Sequence, residues 1–394
     1  MIAHRTPSAP PPRCPPAAAA EELRFQRPEL PPLDDVAAYY RLSQDAGFYA
    51  NGGPCARLLE GRVSERLGGA SCLTVSSGTA GLLVALRVSF GPAAPSRVVV
   101  TPSFTFAATA CAIAWAGFRP LFVDIEGQSW QMDPGALDAA LDDPRHDVAG
   151  VLACSTFGAA PPAWMRRAWR ESCRARDIPL LFDSAAAFGS ADDEGGASGG
   201  LGDTEIFSFH ATKPFAIGEG GLIATGDAAL ADRMRVMANF GLDERTRVAH
   251  EVGLNAKMSE LAAATGLAML DRYPETLARR RATAAALVAS LDPQALTYQG
   301  GSGGSTWQIL QGLAPSTAHR DAVLRAARRR GVQARSYFDP PLHRHPAFAD
   351  CPRTDLLSVT DAISSRSLSL PMANTMTDDE MQRIASVVRE VIPC

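Results

Sequence analysis

The sequence is short of three things, and each absence narrows what the protein does. No apolar run approaches the roughly 20 residues that a membrane-spanning helix requires. There is no basic excess: 38 Lys and Arg stand against 42 Asp and Glu, a net charge of −4. Nothing in that balance draws nucleic acid or an anionic membrane. Cysteine patterning is missing too. The eight cysteines (14, 55, 72, 111, 154, 173, 351, 394) are scattered without a CxxC pair. Several fall in apolar, strand-like runs, as reduced core cysteines do, so neither a disulfide framework nor a metal site is indicated. Residues 1–22 carry almost no large apolar side chains and lack the apolar stretch of a secretory signal. They read as a disordered Pro/Ala-rich extension, and the chain reads as cytoplasmic.

What is present is a large core and an alternating pattern. The 394 residues are 46% hydrophobic, and the length suits two domains at roughly 150 residues each. Strand-like apolar runs at 72–75, 98–100, 120–123, 150–154, 179–182, 205–207 and 222–224 alternate with helix-like stretches. Such alternation predicts a mainly parallel sheet covered on both faces, an α/β fold. Met165, Trp169 and Cys173 recur at four-residue spacing, the apolar stripe of a helix on that sheet. Arg166, Arg167 and Arg170 flank the stripe and read as its solvated face. A further helix is expected over 56–67.

Three elements carry chemistry. Lys213 lies in residues 207–225, FSFHATKPFAIGEGGLIAT, between two buried-strand runs and beside Pro214. A lysine held there loses solvation, and its neutral amine becomes a nucleophile for a carbonyl. Asp183 ends the run 178–182, where open α/β sheets place ligands. A buried acid needs a cationic partner, either a structural arginine or a ligand nitrogen such as a pyridinium. A pyridoxal cofactor requires both a Schiff-base lysine and an acid on its ring nitrogen. The third element, VSSGTAGL at 75–82, follows a strand and opens a helix. Its Ser77, Gly78 and Thr79 suit a phosphate at a helix N-terminus, although Ser and Thr are also common caps.

These motifs, in this order, resemble the DegT/DnrJ/EryC1/StrS family of sugar aminotransferases. The likeness runs from about Phe25 to the C-terminus. It includes TPSFTFAATACAI (101–113), PLFVDIE (120–126), LLFDSAAAFGS (180–190), VGLNAKMSELAAATGLAMLD (252–271) and SLSLPM (367–372). The resemblance implies a fold type I transferase with pyridoxal 5'-phosphate. Its large cofactor domain would span 25–272 and a smaller C-terminal α+β domain 273–394, after an extension over 1–24. It assigns catalysis to Lys213 and Asp183. Cofactor contacts would fall to Ser77, Gly78, Thr79, Phe106 (stacking on the ring), Asp183, Ser208, Lys213 and, reaching across to a partner subunit, Asn255. The expected form is therefore a homodimer with shared sites. Read by themselves, Phe106 is a core aromatic and Asn255 a cap for the helix over 261–270. Asp124 is given no chemistry. A region including Arg335 to Tyr337 is implied to face substrate.

The implied reaction moves an amino group from an amino acid, by family habit L-glutamate, to a keto-sugar. The acceptor would be a nucleotide-linked 4-keto- or 3-keto-6-deoxyhexose, with a cyclitol ketone as the alternative. A sugar dehydratase of this family replaces the lysine with histidine, so Lys213 argues against that reading. A silent regulatory protein would need an added module, and only the N-terminal extension is extra. One departure stands out. Three residues after Asp183, the family often carries His or Gln, and this chain has Ala186.

Overall fold

The computed structural model describes residues 22–243 and 245–392. The N-terminal extension lies almost wholly outside them, as do Cys14 and Cys394. A seven-stranded sheet forms the larger layer: β1 (Ser71–Val75), β2 (Arg97–Pro102), β3 (Arg119–Val123), β4 (Asp147–Cys154), β5 (Leu180–Asp183), β6 (Thr204–Ser208) and β7 (Gly221–Thr225). Their order is β1-β7-β6-β5-β4-β2-β3. Only β7 runs against its neighbours, β6 and β1; the pairs β2–β3, β2–β4, β4–β5 and β5–β6 are parallel. The short apolar runs become strands because both sheet faces are covered, so side chains on either side of the pleat are buried. Every residue of β7 is buried. All seven expected runs are strands, each within three residues of its expected ends.

Local chemistry sets the helices. Gly78–Ser89 starts at Ser77, whose backbone is extended and whose hydroxyl accepts the Ala80 N–H at 3.1 Å. The helix expected over 56–67 is Pro54–Arg66, begun by a proline in its first turn. Ala163–Ala175 buries Met165, Trp169 and Cys173 against the sheet as their spacing predicts. Its arginines, however, are not all solvated. Arg166 is 2% exposed; its Nη1 pairs with Glu205 at 2.9 Å and Asp203 at 2.7 Å, and its guanidinium lies 4.3 Å from the Phe182 ring centroid. Arg170 also binds Asp203, and only Arg167 points to solvent, beside Glu194. The acids come from β6 and the turn before it, some 35 residues away, so helical spacing alone gave no sign of them.

The stretches expected as separate helices around 261–270 and 275–291 form one helix, Glu260–Ser290, with Pro274 inside it. It runs across the expected domain boundary at 272/273. Its later half packs on a second, antiparallel sheet ordered β10-β9-β8, from β8 (Thr297–Tyr298), β9 (Leu310–Leu313) and β10 (Ser367–Leu370). The C-terminal Asp378–Val391 helix begins with a capping box between Thr377 and Glu380. Leu23 and Gln26 pair with Val332 and Met372, so the first described residues join this smaller sheet's surroundings. Asp124 accepts the Val359 and Thr360 N–H groups and the Thr360 hydroxyl, capping the Ser358–Arg366 helix. Its part is structural.

Candidate active site

The C-terminal ends of β1, β2, β4, β5 and β6 open onto one cleft of about 490 Å³. Ligands gather at this edge in α/β sheets because loops diverge there and leave a crevice. Ser77, Gly78, Thr79, Phe106, Asp183, Ser208 and Lys213 all line it. Residues from positions 77 to 213 thus converge at one place. Asn255 does not. It is exposed outside its own cleft, bridged to Asn239. It is also not the helix cap, since Ser259 accepts the Ala262 N–H at 3.2 Å and starts Glu260–Ser290.

Asp183 is 8% exposed, and no arginine pairs with it among the described residues. Thr109 donates to its Oδ2 at 2.6 Å, and the Ala185 N–H donates to Oδ1 at 3.2 Å. Burial pushes the carboxyl above the usual carboxylate range; the Thr109 hydroxyl, the charge of Lys213 and the Ala185 N–H pull the other way. The structural-arginine reading therefore fails. The acid has neutral donors and faces a cleft that has room for a cation.

Lys213 sits in the β6–β7 connection, as expected. Its N–H closes a turn on the His210 carbonyl at 2.8 Å, while Ile217 and Ala211 tie the loop back to Phe209 and Gly218. The side chain keeps partial contact with the cleft, and the protein crowding it holds the amine below the ordinary lysine value; Asp183 opposes that shift. Nζ donates to Gln308 Oε1 at 3.4 Å.

Another part of the cleft is built for an anion. The Gly78 and Thr79 N–H groups at the start of Gly78–Ser89 have no intrahelical acceptors, and they lie beside the Ser77, Thr79 and Ser208 hydroxyls. Backbones approach closely here. A Cβ on Gly78 would lie 2.9 Å from Ser208 Cβ, and one on Gly221 would lie 2.8 Å from Gly78 N, Ser77 C and Phe207 O. Phe106 caps no core: it is 59% exposed, presented to the cleft just before the Ala107–Trp115 helix. An amine, a buried acid, an anion cradle and an exposed aromatic face fit the phosphate, ring and ring nitrogen of a pyridoxal cofactor.

Sequence reasoning missed Thr109 and Gln308. Thr109 lay inside a quoted motif, but nothing marked it among its small neighbours. Gln308 is 95 residues from Lys213 in the chain. Tyr337, within the stretch implied to face substrate, lines the cleft together with Phe338 and Phe157, whose rings stack 4.8 Å apart. Ala186 lines it as well, and its carbonyl accepts the Thr306 hydroxyl at 2.6 Å.

The family model of the DegT/DnrJ/EryC1/StrS aminotransferases matches residues 34–389. The chain belongs to this family. It is an aminotransferase with the fold type I architecture. A Mycobacterium tuberculosis protein, Protein Rv3402c, is 36% identical over 94% of this chain and 90% of its own length. The UDP-N-acetyl-3-dehydro-alpha-D-glucosamine 3-aminotransferase of Acidithiobacillus ferrooxidans is 30% identical, covering 93% of this chain and 96% of its own. The crystal structure of DesI in the presence of its TDP-sugar product superposes with a TM-score of 0.85 at 34% identity, covering 95% of this chain and 94% of that one. Among the described residues, no helix is long and apolar enough to cross a membrane.

Proposed function

We propose that this aminotransferase uses pyridoxal phosphate to move the amino group of L-glutamate to the ketone carbon of a nucleotide-linked keto-sugar, a 4-keto- or 3-keto-6-deoxyhexose. The observation that carries the reading is the convergence of Lys213, Asp183 and the Gly78–Ser89 helix N-terminus in one cleft. When bound, the cofactor supplies a carbonyl carbon to which an amine adds and a protonated ring that takes up electrons. Asp183 would hold the proton at the ring nitrogen, for which its buried, arginine-free setting is suited. Ser77, Thr79, Ser208 and the helix N–H groups would bind the phosphate. Phe106 would cover a ring face and exclude water. Lys213, with its lowered proton affinity, would take a proton at Nζ and return it. The sugar-nucleotide acceptor is supported by the names of the relatives, one acting on a UDP-linked and one yielding a TDP-linked sugar.

A homodimer belongs to the same proposal. Asn255 lies where residues 237–242 pair with 249–256, and Phe240, Val248 and Val252 there are exposed, the last at 87%. An exposed apolar set beside a residue implied to bind phosphate in trans supports a two-fold interface with shared sites. Borohydride reduction of the pyridoxal-phosphate-loaded protein tests the cofactor assignment. Peptide mapping should place the label on Lys213. The only other lysine is Lys257, and a label there would overturn the reading.

A further inference from the structure

Arg280, in the middle of the Glu260–Ser290 helix, is 5% exposed. Among the described residues no carboxylate lies within ion-pair distance of it. Its donors go to neutral oxygens: Nε to the Trp307 carbonyl at 2.6 Å, Nη2 to the Gln308 carbonyl at 2.6 Å and Nη1 to Asn374 Oδ1 at 2.9 Å. Asn374 in turn donates to Glu29 at 2.9 Å. Burial pushes the guanidinium down to about 10. A buried cation without a paired charge is a costly arrangement. What it secures is the backbone at 307–308. The preceding residues are held as well, by Arg281 on the Ser305 and Gly304 carbonyls at 3.1 and 2.8 Å, and by Thr306 on Ala186. From this fixed segment the Gln308 side chain enters the cleft and meets Lys213.

We propose that Gln308 is a positioning residue for Lys213, with Arg280 clamping the backbone from which it acts. The inference rests on the reading of Lys213 as the proton-moving amine. A lysine ends a flexible four-carbon stem, and one fixed acceptor on the cleft wall restricts where Nζ points. The side-chain Oε1 of Gln308 accepts only, so it also favours the protonated amine over the neutral one. It therefore keeps a proton on Nζ at a set direction against the effect of burial.

The test uses the full-length protein without added cofactor. Acetic anhydride acylates neutral amines, and the pH dependence of Lys213 acylation, read by peptide mass spectrometry, gives the midpoint of its deprotonation. Gln308→Leu removes the acceptor and should lower that midpoint by about one pH unit. Gln308→Glu keeps the size, adds negative charge and should raise it. Midpoints equal to wild type in both variants, or displaced in the same direction, overturn the proposal, because a merely structural glutamine would not respond to charge with opposite signs. Failure of the underlying reading is distinguishable. A borohydride label on Lys257 refutes the role of Lys213, whereas a label on Lys213 with unmoved midpoints refutes only the role of Gln308.

Discussion

Gly221→Ala tests how closely the fold and the anion cradle depend on each other. Gly221 opens β7 and pairs with Val75 at the end of β1 and with Ser208 at the end of β6. An added Cβ would meet three backbone atoms at 2.8 Å, from Ser77, Gly78 and Phe207. None is the end of a flexible side chain, so backbone must move. Overpacking of this kind costs about 1–3 kcal/mol. Two of the three atoms, Ser77 C and Gly78 N, start the Gly78–Ser89 helix, so cofactor affinity should suffer together with stability. A tenfold loss of affinity removes about 1.4 kcal/mol of ligand-linked stabilisation at saturating cofactor. Gly61→Ala is the control. Nothing lies within 4 Å of that Cβ, and the position is inside the Pro54–Arg66 helix, where alanine stabilises by roughly 0.5–1 kcal/mol. Thermal melts with and without pyridoxal phosphate, with titration of its absorbance, read both effects. Gly221→Ala protein with wild-type stability and wild-type affinity would refute the reasoning.

Three further outcomes follow from the same contacts. Asp183→Asn keeps the shape but loses the charge proposed to hold the ring proton, so turnover should fall on the order of 10²-fold or more while cofactor affinity changes far less, read by steady-state kinetics against cofactor titration. Arg166→Met strands Glu205, which is wholly buried, and should cost about 3–5 kcal/mol in denaturant unfolding; adding Glu205→Gln should recover part of it. Lys213 sits below its ordinary value of 10.5 in the fold, so the unfolded chain binds the extra proton between the two values. The stability of the cofactor-free protein should therefore rise with pH through that window, and Lys213→Met should flatten the rise in urea titrations at stepped pH.

The sequence made the larger layer legible because its strands are covered on both faces and so appear as unbroken apolar runs between turn residues. Lys213 and Asp183 were legible for a related reason: each ends or follows such a run, and the parallel sheet brings strand ends together. Features that depend on distant partners were hidden. Arg166 looked solvated because its acids lie beyond the next strand. Glu260–Ser290 looked like two helices because Pro274 interrupts the pattern, although neighbouring packing carries the helix through it. Gln308 gave no local sign, since its contact with Lys213 arises only when the smaller sheet's entrance is pressed against the cleft. Phe106 shows the reverse. Its composition suggests core, and its place at a helix start turns it outward.

The central claim is amino transfer from an amino acid to a nucleotide-linked ketone through Lys213. Its most direct test is to incubate the pyridoxal-phosphate-loaded protein with L-[15N]glutamate and a panel of nucleotide-linked 4-keto- and 3-keto-6-deoxyhexoses, then follow the label by mass spectrometry. The account predicts 2-oxoglutarate and a 15N-amino sugar nucleotide with wild-type protein, and neither with Lys213→Ala. Label that stays in glutamate with every ketone offered, or that reaches the sugar equally well without Lys213, would contradict it.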